Sequence, residues 1–368
     1  MRWGATRASS ASTACVTTAR RICGATRTEA PPTTRSVVRA IQIHAYGGPD
    51  VLRLDEVPRP EPRPRDLLVR VCAAAVNPVD WKLRSGRHIL RYRLPWILGL
   101  DVSGVVEAVG SKVTRFAPGD EVWSSPVHNR PGTYADYVCI DEQQVARKPT
   151  NLDHEEAASV PLVGLTATQC LVDMGAVGPG HRVLIHAGAG GVGSFAIQLA
   201  KHLGAEVITT CSDRNVDFVR ELGADQVVDY RAERFEEVLS GLDLVLDSLG
   251  EEAFAQNLRV LRRGGKLANI ALDVGRHVTR YGRPLSFVTL VGALAKLYGW
   301  PRLAKGVQAR HVIKRSDGEQ LGRITEWCER GVIRPIVDRV VPLEDIQAAH
   351  RHSETQRARG KIVLRVSP

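Results

Sequence analysis

The chain has 368 residues, long enough for two domains, and its 43% hydrophobic and 24% charged residues exclude wholesale disorder. The longest uncharged apolar candidate, Leu285 to Ala295, stops at Lys296, too short to cross a membrane, and seven scattered cysteines with no C-x-x-C pair exclude a disulfide framework or a zinc ribbon and favour a reducing compartment. The net charge is +10, but residues 1–36 carry six arginines against the single acid Glu29, so half of that charge belongs to a tenth of the chain and is weak evidence for nucleic acid.

That first segment is rich in Arg, Ala, Thr and Ser and has no apolar period, so it reads as disordered. A mis-called start ahead of Val37-Val38, a targeting peptide (which would send the protein to mitochondria) and a genuine tail all fit, and none of them enters the fold reasoning. The expected location is otherwise the cytoplasm.

Alternation at Ile41 and Ile43 predicts a strand, and Gly47-Gly48-Pro49 a turn. Leu67 to Val71 predicts another strand, and residues 99–125 are glycine-punctuated β structure, together a compact β-rich barrel. Glu155 to Val160 and Thr166 to Met174 favour helix. From Arg182 onward short strands alternate with helices: strands at 182–186, 206–211, 226–230, 242–246 and 266–271, helices at 194–203, 216–222, 235–239 and 253–261. This α/β alternation predicts a doubly wound parallel sheet. A helix over 319–330 and strands over 337–341 and 361–366 close the chain.

Gly188-Ala189-Gly190-Gly191-Val192-Gly193 is a G-x-G-x-x-G between a predicted strand and a predicted helix, the context in which glycines cradle a dinucleotide's pyrophosphate. Gly188 is expected to allow the tight turn, Gly190 the approach of the pyrophosphate, and Gly193 the close packing of helix on strand. The next strand ends without the acid that would bind the ribose of NAD. Ser212 and Arg214 follow instead and suit a 2′-phosphate, so NADP(H) is expected over NAD(H), although Asp213 between them argues mildly the other way.

Ala75-Val76-Asn77-Pro78-Val79-Asp80, Gly99-Leu100-Asp101-Val102-Ser103-Gly104, Pro118-Gly119-Asp120-Glu121-Val122, Gly164-Leu165-Thr166-Ala167, the glycine cradle, Leu222-Gly223-Ala224-Asp225 and Gly360-Lys361-Ile362-Val363 together resemble the medium-chain dehydrogenase/reductase superfamily, on its zinc-free quinone oxidoreductase branch. The resemblance spans residues 39–367. It implies a GroES-like barrel (37–159 with 315–368) interrupted by a Rossmann domain (160–314), hydride transfer with NADPH in the cleft between them, and a homodimer. It places Thr166 near the nicotinamide and Tyr230 near the adenosine phosphate; a lysine frequent in the loop after the second strand is replaced by Asn215. In the zinc branch a Cys stands at the position of Asn77 and a His at that of Leu100. Neither residue here is a zinc ligand, so no metal is expected.

Without a Lewis acid the substrate should delocalise the charge that hydride addition creates, which favours quinones and α,β-unsaturated carbonyls. Candidate donors are the Asn77 amide, the Lys82 ammonium and the Tyr92 hydroxyl; Asp80 either orients Lys82 or caps a helix. The apolar stretch 285–295 with basic flanks suits a pocket wall, a dimer contact, a peripheral membrane contact or an ordinary helix. Competing readings are an enoyl-thioester reductase and, from another class, a non-catalytic NADPH-binding regulator that contacts RNA. Aromatics at 5% and the modest charge of the body rank RNA last, and no nucleic-acid partner is expected.

Overall fold

The computed structural model describes residues 36–86, 91–271, 292 and 306–367. In chain order its elements are β1 (Val37–Ile43), β2 (Leu52–Pro58), β3 (Asp66–Val76), α1 (Pro78–Arg84), β4 (Trp96–Ile97), β5 (Val102–Val109), β6 (Glu121–Ser124), β7 (Tyr137–Asp141), β8 (Val145–Arg147), α2 (His154–Ala158), α3 (Pro161–Thr168), β9 (Arg182–Ile185), α4 (Gly191–His202), β10 (Glu206–Cys211), α5 (Val216–Glu221), β11 (Gln226–Asp229), α6 (Phe235–Val238), β12 (Leu242–Asp247), α7 (Phe254–Val260), β13 (Leu261–Asn269), β14 (Gln308–His311), α8 (Gly318–Glu329), β15 (Val337–Pro342), α9 (Ile346–Glu354) and β16 (Lys361–Arg365).

The first half and the last strands form an antiparallel-rich assembly in the order β15-β16-β3-β5-β6-β8, with β7 also on β3, beside the small sheet β2-β1-β4. Its core takes the alternate residues Leu67, Val69 and Val71 of β3 with Ile41 and Ile43 of β1, as the period of two requires. The middle of the chain forms one parallel sheet, β11-β10-β9-β12-β13-β14. Strands buried on both faces read as continuous apolar runs, and Val183, Leu184 and Ile185 of β9 are all fully buried. Helix α4 lays Phe195, Ala196, Leu199 and Ala200 on that sheet, and Gly204, at φ +85°, ends it.

The predicted helix over 166–174 begins earlier, at Pro161, and after Thr168 widens into a π turn over Gln169–Met174. Gly175 closes it: its N–H reaches the Cys170 carbonyl at 2.9 Å, and a Cβ there would lie 2.5 Å from the Leu171 carbonyl oxygen. Helix α9 lacks a clear signature because one member of its buried face is a histidine, His350. Among the described residues no helix is long and apolar enough to cross a membrane. The stretch 285–295 lies outside the described residues.

Candidate functional site

All six strands of the parallel sheet end at the same edge, and the chain leaves β9 toward β10 on one side while β12 lies on the other. Such a reversal opens a crevice where ligands bind. The glycine-rich segment stands at that point. Helix α4 starts with Gly190 as its cap and no side chain on its first N–H groups, so a twelve-residue helix presents its positive end to the crevice.

The glycines divide the work differently from the expectation. The left-handed residue of the turn is Ala187, at φ +52°, not Gly188. Gly188 is needed for space, since a Cβ on it would lie 2.1 Å from Thr209 Oγ1. Gly193 has the packing role expected, since a Cβ on it would lie 2.3 Å from the Ala187 carbonyl oxygen. At Gly190 a Cβ would meet only that same carbonyl oxygen, at 3.3 Å, so its missing side chain leaves the open face of the cradle clear. Ala189 accepts from the Gly360 N–H at 2.9 Å, and Val192 lies in the first turn of the helix. Beneath the turn His186 is buried between Thr210 Oγ1 (3.1 Å) and Asn257 Oδ1 (2.8 Å), a structural histidine whose pKa burial lowers.

Beyond β10 the Ser212 hydroxyl is buried and accepts from Asn215 Nδ2 at 3.3 Å. Arg214 is exposed, and Tyr230 is 61% exposed with the Arg231 guanidinium 5.9 Å from its ring centre. Asp213 is held 3.8 Å from Arg231. Sequence reasoning missed Arg359. It reaches the same corner from the C-terminal segment, with Nε donating to Asn215 Oδ1 at 3.1 Å, a terminal nitrogen donating to the Arg214 carbonyl at 3.3 Å, and its guanidinium over Phe218. Nothing local in the sequence ties residue 359 to residue 214; only the docking of Gly360 on Ala189 brings them together.

The candidate donors of the other lobe are placed differently from expectation. Asn77 is buried, and its amide donates to Asp101 Oδ2 (2.8 Å) and the Ala75 carbonyl (3.3 Å) rather than into the crevice. Its Oδ1 accepts from Lys361 Nζ at 2.5 Å, and the same ammonium donates to Asp101 Oδ2 at 3.0 Å and the Val76 carbonyl at 3.1 Å. Asp80 caps α1: it accepts from the Asn77 N–H and the Tyr134 hydroxyl, both at 2.8 Å, and neither of its oxygens bonds Lys82. Burial raises its pKa to about 7 against the pull of those donors. Tyr92 stacks flat on Trp96 with ring centres 4.4 Å apart. Burial, and then the Asp80 and Tyr46 charges, raise its phenol above the ordinary value, which makes it a poor proton donor. Thr166 donates to the Leu162 carbonyl at 2.7 Å on α3, the helix that packs against the start of α4.

Lys82 projects from α1 beside Trp81, its nitrogen 5.6 Å from that ring centre, and its charge acts on His311 at the end of β14. Lys314 ties the segment after β14 to the loop after β6, donating to the Ser125 and Pro126 carbonyls and to the Ser125 and Ser316 hydroxyls at 2.9–3.2 Å. Burial lowers its pKa to about 8 although Asp101 and Asp80 oppose that shift. Among the described residues no three His, Cys, Asp or Glu side chains group as a metal's ligand set.

Known proteins match this arrangement. An alcohol dehydrogenase GroES-like domain model matches residues 63–150, and a zinc-binding dehydrogenase model matches residues 222–364. The human protein named NAD(P)H oxidoreductase RTN4IP1, mitochondrial, is 35% identical over 359 residues, 90% of each chain. The Arabidopsis thaliana NADPH-dependent alkenal/one oxidoreductase, chloroplastic, is 33% identical over 331 residues, 87% of this chain and 77% of that one. The solved quinone oxidoreductase of Coxiella burnetii superposes with a TM-score of 0.80 at 34% identity, covering 90% of this chain and all of that one.

Proposed function

The chain belongs to the medium-chain dehydrogenase/reductase superfamily, in its quinone oxidoreductase-like branch, and from that premise we propose that it is an NADPH-dependent reductase that adds hydride to a quinone or an α,β-unsaturated carbonyl without a catalytic metal. The observation that carries the reading is the bare, glycine-lined start of α4 at the reversal point of the sheet, with guanidinium groups gathered at the tip of β10.

The cradle residues Gly188 to Gly193 would hold the pyrophosphate of NADPH on the first N–H groups of α4. Arg214 and Arg359, with the Ser212 hydroxyl and the exposed face of Tyr230, form the corner for its 2′-phosphate, where a planar guanidinium forks onto phosphate oxygens. Bound there, NADPH supplies the hydride. Thr166 on α3 backs the cradle.

The metal-free reading rests on Lys361. Its ammonium stands 2.5 Å from Asn77 Oδ1 and 3.0 Å from Asp101 Oδ2, so the oxygens that a metal beside Asn77 would need are already held by an ammonium. Charge developing on a substrate oxygen must then be met by donors of the chain; of the two cations on α1, Arg84 is buried against the Gly47 carbonyl and Glu354, and Lys82 is the candidate. The proposed assembly is a homodimer, and the proposed location is the cytoplasm, with the mitochondrion the alternative that the first 36 residues would decide.

NADPH and NADH oxidation by the full chain, followed separately with a quinone panel and an enal panel, each with and without chelator, tests this. Fast, chelator-insensitive turnover of NADPH is expected. Loss of activity in chelator removes the metal-free mechanism, and cofactor binding with no turnover on either panel removes the reductase reading.

A further inference from the structure

The ends of three neighbouring strands of the parallel sheet carry a chain of polar side chains that the cofactor cradle does not use. Asp247 closes β12, Asn269 closes β13 and His311 closes β14, the half of the sheet on the far side of β9 from Arg214 and Tyr230. Asp247 and Asn269 are buried, and His311 is half-buried. Asp247 Oδ1 accepts from the Leu249 and Gly250 N–H groups at 2.9 and 3.1 Å, and its Oδ2 accepts from Asn269 Nδ2 at 2.6 Å.

The order of donors along this chain follows from chemistry. A carboxylate holding two backbone N–H groups is an acceptor, so it takes the NH₂ side of the Asn269 amide. The amide oxygen is thereby turned to His311, whose Nδ1 lies 3.0 Å from it. An amide oxygen can only accept, so Nδ1 must carry the hydrogen and the neutral ring has its lone pair on Nε2. A carboxylate thus sets the tautomer of an imidazole two strands away through one amide. Across the crevice the charged group that acts on this ring is Lys82 of α1. Arg310, the preceding residue of β14, is exposed, and Lys314 three residues on is committed to the loop at Ser125.

We propose that His311 is the acid that protonates the reduced substrate, oriented by Asn269 and Asp247 and aided by the Lys82 charge. The proposal rests on the reductase reading above. Hydride arriving at the β-carbon of an enone forms a C–H bond, and the C=C electron pair moves to leave an enolate with its charge on oxygen. The protonated ring gives its Nε2–H to that oxygen and is left neutral in the Nδ1–H form, which Asn269 already favours. The resulting enol becomes the saturated carbonyl, and solvent returns the proton to the ring; a quinone accepts hydride and proton in the same way to give the hydroquinone. The Lys82 ammonium attracts the negative charge that builds on the oxygen and so stabilises the oxyanion until the proton arrives.

Burial lowers the His311 pKa below its usual 6.5, a hydrogen bond to the Asn269 backbone opposes this and the Lys82 charge adds to it. In the free enzyme the ring therefore gains its proton only below that value, and kcat/KM should fall with a one-proton limb there as pH rises. His311→Gln keeps a donor for Asn269 but has no transferable proton. It should lose kcat by about 10²-fold or more and lose that limb, while NADPH affinity stays within about threefold of the parent. Long-range ¹H–¹⁵N spectra of the histidine-labelled free protein provide a readout apart from turnover: His311 should show the Nδ1–H tautomer, and Asn269→Leu should abolish that preference. An Nε2–H ring in the parent overturns the proposal whether or not the enzyme turns over. Turnover by His311→Gln with the limb intact overturns it while leaving the reductase reading in place, whereas a parent with no turnover on any acceptor removes both.

Discussion

Lys361→Met removes one ammonium and keeps most of the side chain. In the parent the stem lies against the cradle, with Cδ 2.9 Å from where a Gly191 Cβ would be, and the ammonium is buried between Asn77, Asp101 and the Val76 carbonyl. Methionine preserves the stem contact, so the change isolates the charge. Asp101, fully buried, loses its counter-ion but keeps the Leu162 N–H at 2.7 Å and the Asn77 amide at 2.8 Å. Stranding one member of a buried pair costs about 3–5 kcal/mol, and the two surviving donors place this case near the lower figure. For an ordered body of this size that is a fall in melting temperature of roughly 4–5 °C. The loss also depends on pH in a defined direction. Burial raises the Asp101 pKa, and Lys361 is the largest influence opposing that. Without Lys361 the folded-state pKa rises further above the unfolded value, so stability is present below the unfolded pKa and is lost as pH rises through the folded one. The gap between variant and parent should therefore narrow at about pH 5.5 and widen at about pH 8, read by calorimetric melting. Asp101→Asn added to Lys361→Met should recover part of the loss, because no charge is then stranded. A melting temperature within about 1 °C of the parent at both pH values would falsify the buried-pair reasoning.

The cradle glycines should separate by what surrounds them. Gly188→Ala, whose Cβ would lie 2.1 Å from Thr209 Oγ1, is expected to cost about 1–3 kcal/mol of stability. Gly190→Ala, with only a carbonyl oxygen at 3.3 Å, should melt close to the parent yet bind NADPH about tenfold or more weaker, about 1.4 kcal/mol; unchanged affinity in fluorescence titration would remove the cradle from the cofactor site. Arg359→Ala should weaken NADPH by about tenfold while leaving NADH nearly unchanged, since one charge-assisted contact is lost. An equal loss for both cofactors would make Arg359 a support of the loop at Asn215 only. Asp80, held at about 7 by burial, has a folded pKa above its unfolded value, so its contribution to stability is lost as pH rises from the ordinary carboxylate range through 7. Asp80→Asn should flatten that part of the stability–pH curve, and a curve of unchanged slope would show that Asp80 titrates elsewhere.

Local pattern decided much of this protein. Strands β9 to β13, the helix after the glycine cradle and the barrel strands β1, β3, β5 and β6 are written as runs and alternations of apolar residues, whereas the edge strand β14, Gln308–His311, carries no such run and is set by pairing with β13. The strand–turn–helix setting of the glycine-rich segment is legible too, because it depends on residues adjacent in the chain. Asp80 shows the limit: its place three residues into a helix marks it as a cap, but only the closing of the interior around it raises its pKa, against the Tyr134 hydroxyl that the fold brings to it and that pulls the other way. Asn77 is legible as a residue that cannot bind zinc, yet the direction of its amide is set by Asp101 and by Lys361, 284 positions away. Arg359 joins Arg214 because the C-terminal segment docks Gly360 on Ala189, and His311 joins Asp247 through Asn269 because parallel strands bring their ends to one edge. A sequence states which groups exist and which neighbours share a face within a few residues. Which donor meets which acceptor across long separations, and hence which groups are left to face a substrate, is decided when the sheets assemble and water is excluded from between them.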